Sequence, residues 1–257
     1  MDVLAVWLRQ RRLTKVGSIG AIIGVLLYSA NSVNGWVTGD LNEVLFLFVV
    51  TTSALWAACA ALDRSKSPFV TAVQSAGWKY IAIYPIIWTA SVVWTLLVKL
   101  PPFEFIRHFP ADSTLRIGAL LPLVLGIGLL IGSVPRPGRV RNMLDASITT
   151  SSVAVFSWHF VLAPVWGALR SRLLSDWTAL AYPIGAGLAV FLAITLVFAA
   201  APINRWRTGV IAIGFGALAI AAAENVSTLE MLKHGGMPVW FKLFWPVGVI
   251  SLALASH

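Results

Sequence analysis

Long apolar runs alternate with short polar stretches along the whole chain. Eight runs stand out, at roughly 16–33, 43–62, 79–98, 116–134, 147–169, 180–201, 208–224 and 239–255. A helix rises about 1.5 Å per residue, so about 20 apolar residues are needed to cross a hydrocarbon core about 30 Å thick. The runs approach that length, and the seventh, short and rich in Gly and Ala, is the weakest. The pattern predicts an all-α, polytopic helical membrane protein with about eight transmembrane helices (six to eight), built as one transmembrane domain over residues 1–257.

The polar stretches sort by side. Arg9, Arg11, Arg12, Lys15, Arg64, Lys66, Lys79, Arg136, Arg139, Arg141, Arg205 and Arg207 fall in alternate connections and make up twelve of the 19 basic residues. The remaining connections hold Lys99, Arg107, Arg116, Arg170, Arg172, Lys233 and Lys242. Lys and Arg collect on the cytoplasmic side of membrane proteins. The expected arrangement is a multi-pass plasma-membrane protein with both termini cytoplasmic. Trp36, Trp78, Trp177, Trp206 and Trp240 fall near run ends, where amphipathic rings favour the interface.

Composition sharpens this picture. Only 11% of residues are charged and 58% are hydrophobic, against about 25% charged in soluble domains, so a soluble globule is excluded. The net charge of +9 follows from the basic connections, and no RNP-like, zinc-finger or basic-arm signal points to nucleic acid. Cys59 is the single cysteine, so no internal disulfide forms; it reads as a small core residue. His108, His159, His234 and His257 are scattered, with no metal-ligand spacing.

Two segments outside the runs have helical character. In "MDVLAVWLRQRRLTK" the apolar residues precede the basic cluster, the reverse of a secretory signal. Leu4, Trp7 and Leu8 form a stripe, so residues 1–15 read as an interfacial amphipathic helix. Residues 63–80, "DRSKSPFVTAVQSAGWKY", form a cytoplasmic connection. Ser67 and Pro68 suit a helix start. Phe69, Val70, Val73 and Ala76 share a face, and Gly77 reads as a stop.

The order of these parts resembles the permease subunits of ABC-2-type exporters. The resemblance covers roughly the first 100 residues. It implies that residues 1–15 are an elbow helix, and that residues 67–76, within the 63–79 loop, are a coupling helix seated in a separate ATPase. Asp63, Arg64, Phe69, Val70 and Val73 would then form the ATPase contact. That family usually has six spans, whereas eight runs are present here.

The residues fit a partner-driven machine. There is no G-x-x-x-x-G-K-[ST] loop, and His159 is the one ionisable side chain expected well inside a run. No cofactor is therefore expected in this chain, with ATP and Mg held by the partner. Expected partners are a P-loop ATPase subunit, a second permease copy or homologue, and membrane lipids. The stretch "SVAVFSWHF" resembles part of a late span of acyltransferase-3-type membrane acyltransferases, which would make Ser152 and His159 the matching pair. Val153 and Val161 stand where that family has Tyr and Pro, and the first run lacks its Arg and His. His159 otherwise reads as a polar group bonding across helices or lining a pathway. The cargo expected of an exporter is hydrophobic or amphipathic; the alternative is a membrane anchor or assembly subunit of a larger complex.

Pro85, Pro122, Pro164 and Pro183 fall inside runs, where proline is tolerated or hinges a helix. Gly126, Gly128 and Gly132, Gly185 and Gly187, and Gly214 and Gly216 offer close helix contact. The basic loop 135–145 suits topology or anionic lipid, and the aromatic stretch 99–116 suits an interfacial piece. No internal repeat is evident from the sequence.

Overall fold

The computed structural model describes residues 17–31, 40–98, 111–134, 178–200, 207–232 and 242–256, with scattered positions between 144 and 163. The apolar runs inside those stretches fold as helices: α1 (Gly17–Asn31), α2 (Asp40–Ser65), α3 (Ala72–Val98), α4 (Ala111–Gly132), α5 (Thr178–Ala200), α6 (Arg207–Leu232) and α7 (Phe244–Ala255). Among the described residues there is no strand, and the fold is all-α. The elbow helix expected over residues 1–15 lies outside the described residues, as do residues 99–110 and 135–143.

Three helices are long and apolar enough to cross a bilayer core: Asn42–Ser65, Thr114–Gly132 and Thr208–Val226. The last of these is the run that looked weakest; its helix is 26 residues long. By this measure the described spans number fewer than the eight expected, with α1, part of α5, and α7 among the shorter apolar helices. α3 has 27 residues, and Lys79 is the one Lys, Arg, Asp or Glu in it. Pro85 and Pro122 are both buried, and α3 and α4 continue through them.

Six of the helices close a ring. α2 packs on α3, α3 on α4, α4 on α5, α5 on α6, α6 on α7, and α7 returns to α2. α1 lies against α2. Tyr28 tilts against Phe46 at 5.4 Å between ring centroids, and the Asn31 amide donates to Asn42 Oδ1 at 2.9 Å. The rest of α1 exposes Ile19, Ile22, Ile23, Leu26 and Leu27. The outer faces of α2 to α4 likewise expose Phe48, Leu55, Ile86, Val93 and Leu121. A surface this apolar suits hydrocarbon rather than water.

One end of the ring gathers the ends of α2, α4, α5 and α7 and the starts of α3 and α6. It is called the turn face below. Helix directions follow from that grouping. α2 runs to the turn face, α3 leaves it, and α4 returns; α5, α6 and α7 repeat that order. α4 and α5 therefore run parallel, with the end of α4 and the start of α5 at opposite faces. Residues 147–169, the fifth expected span, fall in that interval.

The two triplets share a second feature. A Cβ on Gly77 of α3 would sit 3.0 Å from the Gly126 carbonyl oxygen of α4, and one on Gly126 would sit 2.8 Å from that of Gly77. Between α6 and α7, a Cβ on Gly216 would meet the Gly248 carbonyl oxygen at 2.8 Å, and one on Gly248 that of Gly216 at 2.9 Å. In each crossing the large residue four places on packs against the opposite glycine: Ile81 and Leu130 in the first, Ile220 and Leu252 in the second. Small residues let membrane helices approach this closely. The ring is thus two like halves, α2 to α4 and α5 to α7. No repeat in the sequence marks this likeness. The likeness lies in helix direction and in glycine spacing, which a Gly- and Ala-rich apolar sequence conceals.

Candidate functional site

The turn between α2 and α3 is built differently from its sequence expectation. α2 runs on to Ser65, so Asp63 and Arg64 are its last turn. Two tight backbone bonds close it, from Lys66 N to Asp63 O at 3.2 Å and from Ser67 N to Arg64 O at 3.1 Å. Ser67, Pro68, Phe69 and Val70 then form a β-turn, with Val70 N donating to Ser67 O at 3.2 Å. Proline fits the second position of such a turn, and the residue before it is held out of helical conformation. Pro68 therefore marks a turn and not a helix start.

α3 begins after Thr71. Its cap is reciprocal: Gln74 N donates to Thr71 Oγ1 at 3.3 Å, and Thr71 N donates to Gln74 Oε1 at 3.0 Å. This is the S/T-x-x-E/Q capping box, written in the sequence as "TAVQ". The Ser75 hydroxyl adds a brace, donating to Ser65 O at 2.7 Å. No separate helix spans 67–76, and Gly77 is no stop: α3 passes through it because the glycine lets α4 approach. Of the residues expected to meet an ATPase, Phe69 is 71% exposed, Val73 is exposed on α3, and Asp63, Arg64 and Val70 are half-buried.

Behind this turn, on the ring axis, lies a cavity of ≈ 320 Å³. Arg64, Thr71, Gln74 and Trp78 line it from the first half; Thr208, the start of α6 and the end of α7 line it from the second. Trp78 is buried there, 7% exposed, and is a cavity wall and not the interfacial anchor expected of it. Among the described residues, Arg64 is the only charged one of the lining.

Beyond the cavity the axis fills with side chains. Ile81, Leu123, Ile127, Leu196, Ile213, Ile220 and Leu252 are all fully buried. Toward the opposite face, α3 turns the stripe Tyr84, Trp88 and Ser91 inward, and all three are at most 3% exposed. Arg116 of α4 donates through Nε to Ser91 Oγ at 3.1 Å. Glu224 of α6, 5% exposed, accepts from Trp245 Nε1 of α7 at 3.0 Å. Tyr84 lies within electrostatic reach of both Glu224 and Arg116. Trp245 tilts against Trp88 at 6.0 Å and against Phe46 at 6.2 Å, and Lys242 Nζ stands 5.6 Å over the Phe46 ring. The Tyr84 hydroxyl and Trp88 Nε1 are buried with no hydrogen-bond partner. These residues form a plug that closes the ring at that end.

The sequence placed Arg116 and Glu224 at span ends and gave them no role. Their bonds, from Arg116 to Ser91 of α3 and from Trp245 of α7 to Glu224, join separate helices and have no local signature. The i, i+4, i+7 spacing of Tyr84, Trp88 and Ser91 was the one signal available. Ser152 and His159, in contrast, are exposed. The Ser152 hydroxyl donates to its own helix at Ile148 O, 3.1 Å away. Neither lines this cavity. Cys59 is also exposed, on α2, and is not a core residue. Among the described residues no cluster of His, Cys, Asp or Glu could hold a metal ion.

Comparison of the chain with protein-family models, curated proteins and solved structures finds no match.

Proposed function

We propose that this chain is the membrane-spanning permease subunit of an exporter, and that its two halves open the ring alternately to the two faces. The observation that carries this reading is the pairing of a cavity at one end of the axis with a closed plug at the other. Parallel repeats about an axis along the membrane normal, with the site where the repeats meet, are a recurring transporter architecture. The two halves of one chain here supply the two-sidedness that the resemblance would assign to two copies.

Positive-inside counting puts the turn face in the cytoplasm. The cavity then opens inward and the plug seals the outer side. Energy would come from a separate P-loop ATPase bearing on the α2–α3 turn. Phe69 supports that contact: it is a large apolar side chain held outward on a turn tied to both helices by hydrogen bonds. A push on so braced a turn passes to α3, and through the glycine crossing to α4. Those two helices carry Trp88 and Arg116 of the plug.

The test is co-purification from the native membrane. Recovery of a P-loop ATPase with the native chain is expected, as is its loss with Phe69→Asp or Val73→Asp at unchanged membrane insertion. Equal recovery with all three chains would remove the turn from the contact. Absence of any ATPase from the native preparation would favour an anchoring role.

A further inference from the structure

We propose that the plug holds internal water on the inward face of α3, bound by the Tyr84 hydroxyl and the Trp88 indole N–H. The site does not depend on the exporter reading.

Three buried side-chain polar atoms with no hydrogen-bond partner among the described residues fall within six residues of α3: Tyr84 Oη, Trp88 Nε1 and Thr89 Oγ1. Tyr84 and Trp88 are only 1% and 3% exposed. They stand four residues apart, so their side chains are neighbours on one helix face. Both sit well inside the bundle: Trp88 is about 15 Å along the helix from Val98, the last residue of α3. A buried donor left without an acceptor is costly. Native structures meet such groups with protein atoms or with ordered water.

Water suits the place because acceptors as well as donors are at hand. A buried water makes roughly two to four hydrogen bonds to polar groups. Here it accepts from Tyr84 and Trp88 and has two hydrogens of its own to give. Glu224 is one recipient. Its carboxylate lies within electrostatic reach of Tyr84, and it accepts from Trp245 Nε1, whose ring packs on Trp88. A carboxylate accepts several donors at once. The Ile81 carbonyl is the other recipient. Pro85 has no N–H, so the Ile81 oxygen lacks the donor that a helix normally gives it. Ordered water is one of the usual substitutes inside membrane helices. Ile81 is 2% exposed and shares the inward face with Tyr84 and Trp88. An ion is a poorer match: Arg116 and Glu224 act on Tyr84 in opposite senses, which favours a neutral occupant.

On the exporter reading, water also gives the plug a way to part. A bond made through water exchanges one partner for another, so the ring can open there without baring donors to hydrocarbon.

The test uses the full chain, isotope-labelled at its tryptophan nitrogens, in lipid bilayers. Solid-state NMR follows magnetisation passing from water protons to each indole N–H, and the Trp88 signal is identified by its loss in Trp88→Phe. Trp88 is expected to receive magnetisation from water early, despite its burial. Tyr84→Phe removes the neighbouring donor and should slow that transfer. It should also lower the unfolding midpoint by about 2–4 °C, the shift expected for one lost hydrogen bond. If Trp88→Phe fails to fold, Trp88→Tyr supplies the assignment.

Absence of transfer from water to Trp88 in the native chain would overturn the site. So would transfer unchanged by Tyr84→Phe, which would give the two donors separate partners. An unmoved or higher midpoint in Tyr84→Phe would overturn it as well, being the mark of a hydroxyl that nothing meets. Transfer from acyl-chain protons in place of water protons would make the occupant a lipid.

Discussion

The halves α2 to α4 and α5 to α7 repeat each other in backbone and part company in side chains. Both run in the same order of directions, and both lock their second and third helices at a glycine pair. The first half carries Arg64 and Arg116 together with the bulky α3 residues Trp78, Tyr84 and Trp88. The second is lined with alanines at 186, 189, 193, 217 and 223, and contributes the buried acid, Glu224. Two hydrogen bonds of the plug lie within halves: Arg116 with Ser91 in the first, Trp245 with Glu224 in the second. What crosses between halves is the contact of Trp245 with Trp88 and Phe46, and the electrostatic reach from Glu224 to Tyr84. Each half is tied internally by backbone approach and hydrogen bonds, and ring contacts and charge also reach its neighbour at the plug.

The largest effect should come from prying one half apart. Gly126→Ala and Gly216→Ala each place a methyl group 2.8 Å from a facing carbonyl oxygen. Backbone cannot yield as a side chain does, so each should lower stability by about 1–3 kcal/mol. Gly128 and Gly187 have nothing within 4 Å of an added Cβ. Alanine there should be neutral or stabilising by up to about 1 kcal/mol, since glycine is a poor helix former. Thermal unfolding of the four variants in detergent checks this. Equal midpoints across the four would show that the crossings do not hold the halves together.

Glu224→Ala acts between the halves as well as within one. It leaves the buried Trp245 N–H without its acceptor, at a cost of about 1–3 kcal/mol, and removes the charge facing Tyr84. Glu224→Gln keeps an oxygen for Trp245 and should lose less. With the indole freed, Trp245 should become open to a water-soluble fluorescence quencher in Glu224→Ala and stay shielded in Glu224→Gln. To isolate this indole, the comparison is made against Trp245→Phe in each background. Identical quenching of native and Glu224→Ala chains would mean that the acid does not keep the plug shut.

The all-α fold and most of the helix positions were legible because a membrane span announces itself by length and hydropathy. The capping box at Thr71 and Gln74 was also written plainly in "TAVQ". Ser67 and Pro68, a few residues earlier, offered a competing start, and Gly77 a matching stop. Both signals were misleading for physical reasons: proline suits a β-turn as well as a first helical turn, and a membrane glycine often serves a neighbouring helix. The plug was hidden because its members sit on α2, α3, α4, α6 and α7. Only the ring closure brings Glu224 near Tyr84, and no local spacing encodes that. His159 drew notice as the lone intramembrane histidine, yet it is exposed and does not line the cavity.

The smallest predicted change is at the cap, and it separates the halves most finely. Thr71→Ala removes one acceptor from the start of α3 and should cost about 1 kcal/mol. Gln74 would keep its bond from Thr71's backbone N–H, so the turn should stay in place. The loss should be confined to the first turn of α3, because Ser75 still holds Ser65 and Gly77 still holds α4. Hydrogen exchange resolved at peptide level should show faster exchange at residues 72–76 and none at the start of α6. The midpoint of unfolding should fall by less than in either crossing variant. Acceleration spreading past Gly77 into the middle of α3 would mean that the cap, and not the glycine crossing, fixes this helix. In that case a push on the α2–α3 turn would be absorbed before it reached Trp88, and the plug would be out of its reach.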